Sequence, residues 1–147
     1  MKRKAVILYV EDNRMDIDLT LDAFREAHLD NEIMIYNTGE AALDFLLGHG
    51  KYADRNAYPL PDLVLLDIKL PGISGLDVLK TIKRTPVIKR LPVVIITSST
   101  EEGDRIMSYD LGANSYLVKP ITFNDLIKTV ELIYEYWLSL NINAPIE

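Results

Sequence analysis

Three carboxylates, a hydroxyl and an ammonium stand at the ends of apolar runs in this 147-residue chain. Glu11 and Asp12 follow "AVILYV", Asp67 follows "LVLL", Thr97 closes "PVVIIT" with Ser98 next, and Lys119 follows "NSYLV". Clustered carboxylates repel one another and raise each other's pKa unless a cation neutralises them. Oxygen donors suit a hard divalent ion, and Mg2+ binds through a few carboxylates while keeping waters and phosphate oxygens. Such an ion beside an aspartate, with a lysine and a threonine hydroxyl at hand, makes a phosphoryl-transfer setting. Ion and lysine stabilise charge, the hydroxyl can hydrogen-bond a phosphoryl oxygen, and Asp67 can attack as nucleophile to give an aspartyl phosphate. Zinc fits poorly, because there is no cysteine and the two histidines, His28 and His49, fall on a helix face and in a loop. Each residue alone has a plainer reading: Asp12 or Asn13 caps a helix, an acid at a strand end faces water, Lys119 lies on the surface. Those readings fare worse together, since the acids and the lysine sit on strands expected side by side.

The elements that must position them alternate along the chain. Residues 5–10, 32–36, 63–66, 92–97 and 114–118 read as strands, the second weaker and more polar, as an edge strand would be. Between and after them lie helical patterns. The first carries Ile17, Leu21, Phe24 and Ala27 or His28 on one face, and the second, 39–48, is closed by Gly48. The third is "SGLDVLKTIKR", the fourth carries acids in its first turn and Gly112 at its end, and the last is long. Five strands alternating with five helices predict right-handed crossovers and a flavodoxin-like, doubly wound α/β fold, a parallel sheet with helices on both faces. In such sheets the working site lies beyond the carboxyl ends of the strands. A buried third strand thus fixes Asp67 rigidly where a metal can reach it.

"VEDN", "LVLLDIKLPGISG", "VVIITSS" and "YLVKP" together resemble the receiver domain of two-component response regulators, over nearly the whole chain. "EDNRMDIDLTLDAF", the long loop before the third strand and "YEYWL" look like the small response regulators paired with cyanobacterial phytochromes. The resemblance implies strand order 2-1-3-4-5, the order given for flavodoxin-like folds. It implies that Asp67 accepts a phosphoryl group from a histidine kinase, a phytochrome on the narrower reading. It implies Glu11, Asp12, Asp67 and the backbone carbonyl of Lys69 as Mg2+ ligands, Thr97 and Lys119 as phosphate contacts, Tyr116 as an aromatic switch, and a cis Lys119–Pro120 bond. Three departures stand out. Ser98 and Ser99 follow Thr97 where many members have alanine first. Glu11 is longer than the common aspartate and could reach a metal through water. Lys69 and Ser99 occupy the positions that tune acyl-phosphate hydrolysis.

Composition narrows the alternatives. A net charge of −6 argues against a general nucleic-acid binder. The absence of cysteine fits a reducing cytoplasm, and no apolar stretch approaches membrane-spanning length. Residues 1–147 are expected to form one receiver domain with no output domain, so the signal passes to a separate protein without direct DNA contact. A Mg2+-dependent aspartyl phosphatase would carry a second acid two residues after its nucleophile, where Lys69 stands. A phosphorylation-independent scaffold on the same fold would tolerate loss of the acids or the lysine, and all are present. Asp16, Asp18, Asp22 and Glu26 read as a solvated helix face, with Asp16 able to reach the mouth of the site. The loop 49–61 reads as a tolerated insertion or, through Tyr52 and Tyr58, a partner contact. On the last helix, Phe123, Leu126, Ile127, Val130, Ile133, Tyr134, Trp137, Leu138 and Leu140 span an arc of roughly 160°, wider than the usual stripe of about 100°. Leu132 and Tyr136 form a separate ridge. This predicts a homodimer through the face of the fourth helix, fifth strand and fifth helix.

Overall fold

Apolar and β-branched runs form the strands Val6–Val10 (β1), Glu32–Tyr36 (β2), Leu63–Leu66 (β3), Val93–Thr97 (β4) and Ser115–Val118 (β5). All pair in parallel, in the order β2-β1-β3-β4-β5. The helices are Arg14–Glu26 (α1), Gly39–Leu46 (α2), Gly75–Arg84 (α3), Glu102–Asp110 (α4) and Phe123–Ile133 (α5), the last running on as a wider π-helical coil, Tyr134–Leu140. The structure is a computed structural model that describes residues 5–29, 31–119 and 122–140, without the side chains of 138–140. The expected cis Lys119–Pro120 bond, and the Leu138 and Leu140 side chains, lie outside the described residues.

Side chains alternate across the sheet, so each strand feeds two cores. Ile7, Tyr9, Leu63, Leu65, Val94 and Ile96 meet α1 and α5 through Phe24, Leu126 and Val130. Leu8, Val10, Val64, Leu66, Val93 and Ile95 meet α2 and α3 through Phe45, Val78 and Ile82. Every residue of β1, β3 and β4 is buried, which is why these strands read as unbroken apolar runs, whereas β2 is only half-buried at its edge. Helix starts follow the capping rule. Asn13, Thr38, Ser74 and Thr122 each accept the backbone N–H of the third helical residue, while Glu101 at the start of α4 makes no such bond. Along α1, Ala27 is half-buried, and His28 lies past the helix end with a left-handed φ of 57° rather than on its face.

The loop 49–61 is part of the packed structure. Arg55 donates to the carbonyls of Phe45 (2.8 Å) and Leu46 (2.9 Å) at the end of α2, where Phe45 also accepts the Gly48 N–H (3.2 Å). Tyr52 stands edge-on to Phe45 (5.6 Å between centroids) and to Tyr58 (5.0 Å). The two tyrosines that offered the alternative reading of a partner contact therefore pack partly against the core, Tyr52 also edge-on to Tyr36.

Candidate functional site

Backbone pairing continues one residue past the strand ends and carries the polar residues into place. The Glu11 N–H donates to the Tyr36 carbonyl (3.0 Å), Asp67 N–H to Val10 (3.1 Å) and Lys119 N–H to Thr97 (2.7 Å). The Asn37 amide donates to the Glu11 carbonyl (2.9 Å). Glu11, Asp67 and Lys119 thus inherit the rigidity of the sheet.

Their side chains converge on one ammonium. Lys119 Nζ donates to Glu11 Oε1 (2.8 Å), Asp16 Oδ2 (2.7 Å) and Asp67 Oδ2 (3.1 Å). Asp67 Oδ1 accepts the Lys69 backbone N–H (3.1 Å), and Glu11 Oε2 accepts the Asn13 N–H (3.2 Å). Glu11 is fully buried, and burial pushes its carboxyl up to about 7; Lys119 opposes that rise and the charge of Asp67 adds to it. Burial alone would lower the Lys119 pKa, but its bonds to Asp16 and Glu11 and the charge of Asp67 outweigh this and hold the pKa above its ordinary value. Glu11, Asp12 and Asp67 offer carboxylate oxygens all within 4.8 Å of one another. That all-oxygen donor set, with Asp12 exposed at the mouth, suits a hard divalent cation rather than zinc. The group lines a cleft of about 630 Å³, together with Asn13, Arg14, Met15, Asp16, Lys69, Ser98 and Lys119.

Thr97 and Ser99 sit behind the cleft. Thr97 is fully buried, and its hydroxyl accepts the Ser99 N–H (3.3 Å). The Ser99 hydroxyl donates to Asp104 Oδ2 of α4 (2.6 Å), and its carbonyl accepts the Tyr116 hydroxyl (3.1 Å). Ser99, the serine placed at a hydrolysis-tuning position, is thus buried and turned away, while exposed Ser98 lines the cleft. The path from Thr97 to Tyr116 runs through Ser99.

Sequence reasoning placed Glu11, Asp12, Asp67, Lys119 and the Thr97 hydroxyl at one edge; the structure brings the first four together around the cleft, whereas Thr97 is buried and is not among the residues lining it. It read Asp16 chiefly as part of a solvated face. Asp18, Asp22 and Glu26 are exposed, but Asp16 is half-buried and bonded to Lys119. Gly75 was missed. A Cβ there would lie 1.9 Å from the Asp67 carbonyl oxygen, so only glycine lets α3 approach the loop after Asp67, where its N–H donates to the Ile68 carbonyl (2.7 Å). The available signal was a glycine directly after the capping serine in "GISG".

Residues 7–131 match the response regulator receiver domain family, and the chain belongs to it. Within that family it is similar to response regulator Rcp1 of Synechocystis sp., 42% identical over 90% of this chain and 88% of that protein. A crystal structure of Rcp1 in its Mn(2+)-bound form is similar at a TM-score of 0.83 and 40% identity, covering 96% of this chain and 99% of that one. The phosphorylated cyanobacterial phytochrome response regulator RcpA is similar at a TM-score of 0.88 and 36% identity, covering 97% of this chain and 100% of that one. The probable methanogenesis regulatory protein FilR2 of Methanothrix harundinacea is 42% identical over 92% of this chain and 85% of that protein.

Proposed function

We propose that the chain is a phosphoacceptor: Asp67 takes a phosphoryl group from a histidine kinase in a Mg2+-dependent step, and the change is passed to a separate protein. The observation that carries this is the meeting of Asp67, Glu11 and Lys119 within hydrogen-bond distance, with the Asp12 carboxylate at the same mouth. A bound divalent ion would be held by Asp12, Asp67, the Lys69 carbonyl and Glu11, and would supply positive charge against the transferring phosphoryl oxygens. An Asp67 carboxylate oxygen forms the new bond to phosphorus while the donor's bond to phosphorus breaks and its electron pair leaves with the donor. Lys119 moves its ammonium toward the phosphoryl oxygens, and Thr97 gives up the Ser99 N–H to hydrogen-bond one of them. Through Ser99 that motion loosens the holds on α4 and Tyr116, and the α4–β5–α5 face changes.

Similarity to the cyanobacterial phytochrome response regulator RcpA supports a phytochrome as the kinase. FilR2 is as similar in sequence as Rcp1, so the likeness of fold to RcpA carries that part. We take the chain to be an acceptor rather than an enzyme. Lys69 stands where an aspartyl phosphatase would need a second acid, and the complete set of acids and lysine opposes a phosphorylation-independent scaffold. Among the described residues no helix is long and apolar enough to cross a membrane. The test is incubation with acetyl phosphate and Mg2+ followed by intact mass. Wild type should gain one phosphoryl group, and neither Asp67→Asn nor chelator-treated protein should. A gain that survives either control overturns the reading.

A further inference from the structure

We propose that Asp16 is a positioning residue for Lys119: it holds the ammonium on the α1 side of the site, so that Glu11 and Asp67 can turn to a divalent cation without the lysine leaving. The inference rests on the reading of Asp67 as phosphoacceptor. An acid at the third position of a helix can reach back to the N–H of the capping residue. Asp77 does so in α3, accepting the Ser74 N–H at 3.2 Å. In α1 the corresponding N–H, that of Asn13, is taken by Glu11 Oε2 instead. Asp16, its own N–H fixed by the Asn13 side chain at 3.0 Å, is left free to accept Lys119 at 2.7 Å, the shortest of the three ammonium contacts. The other two partners are carboxylates of the candidate metal set. Asp16 alone among them lies outside that set, so it alone can keep Lys119 when the others are drawn to a cation.

The decisive measurement is the nitrogen-15 NMR signal of the Lys119 ammonium, identified by its loss in Lys119→Arg. In wild type the signal should be present without metal and should persist at saturating Mg2+. In Asp16→Asn it should be present without metal and disappear with Mg2+. Asp18→Asn removes the same charge from an exposed Arg14 pair on the same helix and should behave as wild type. With acetyl phosphate at saturating Mg2+, Asp16→Asn should slow phosphorylation of Asp67 roughly tenfold and slow Lys119→Arg no further, as expected of two residues acting as one. A signal absent from metal-free wild type, one that survives Mg2+ in Asp16→Asn, equal loss in Asp18→Asn, or additive rate effects would each overturn the proposal. If wild type takes no phosphoryl group, the phosphoacceptor reading falls, while the ammonium signal still decides whether Asp16 holds Lys119.

Discussion

Glu11 carries a charge that its burial opposes. Its carboxyl is buried, and its pKa is raised from the ordinary 4.5 to about 7. Between those values the folded chain holds a proton that the unfolded chain releases, so this group's contribution to stability falls as pH rises across the window, the reverse of an acid whose pKa is lowered by pairing. In chelator-treated protein, urea midpoints of wild type should decline relative to Glu11→Gln between pH 4.5 and pH 7. Mg2+ should flatten the difference, because a cation and a proton compete for the same carboxylate. A parallel pair of curves without metal would contradict the assignment. Gly75 constrains the site through shape instead. The methyl of Gly75→Ala would strike the Asp67 carbonyl oxygen, and a backbone atom cannot move aside as a flexible side chain can. We expect a loss of about 1–3 kcal/mol by urea unfolding, with slower phosphorylation because Asp67 is displaced. At this scale the sequence was legible where chemistry sits directly at a strand end, as with Asp67 and Lys119. Asp16 and Gly75 were not, because their roles depend on how a helix docks against a loop distant in sequence.

Among the elements, α4 is the most lightly anchored helix. Ser108 is its one buried residue, its start lacks a side-chain cap, and Ile106, Met107 and Tyr109 are exposed. Its first turn is tied to the loop after β4 through the Ser99 hydroxyl, which donates to Asp104 and accepts the Glu101 N–H (3.4 Å). Removing one partner of a bond to a charged group costs about 1.5–3 kcal/mol. Ser99→Ala should therefore speed hydrogen exchange of the α4 amides by roughly tenfold or more, while the buried strands β1 and β3 keep their protection. Uniform acceleration across the sheet, or none in α4, would show that this bond is not the tether. The strands and helices themselves were readable to within a few residues, because burial on both faces writes an apolar run and capping writes a Ser, Thr or Asn. The loop 49–61 was not. Arg55 reads as a polar loop residue, and nothing local reveals that its guanidinium closes the end of α2.

For the whole molecule, the question is what covers the last helix. Leu126, Val130 and Ile133 are buried against the sheet and α1, with Ile127 and Trp137 packed partly beside them. Leu132 and Tyr136 are 65% and 54% exposed, forming the separate ridge their spacing predicted. Val118 of β5, Phe123, and Ile106, Met107 and Tyr109 of α4 are exposed apolar residues as well. We expect this face to join two copies, since exposed apolar patches of this kind mark interfaces and a two-fold pair is the commonest closed arrangement. Sedimentation at micromolar concentration should show a dimer that Leu132→Glu and Tyr136→Glu dissociate. A monomer both before and after phosphorylation, unchanged by either substitution, would remove the dimer.

The Lys119–Glu11 bond joins residues 108 positions apart, and Lys119 follows Asp67 by 52. On the ribosome, at about 5–20 residues per second, roughly 3–10 s separate the two. During that interval the emerging chain holds all three acids without the cation that balances them, and the sheet has no fifth strand to deliver it. Mutual repulsion at the tips of β1 and β3 then opposes closure of the half-made sheet, until β5 arrives with Lys119. Under the proposed phosphoacceptor role, an unfinished chain carries Asp67 without Lys119, so its acceptor site is complete only once β5 has been made.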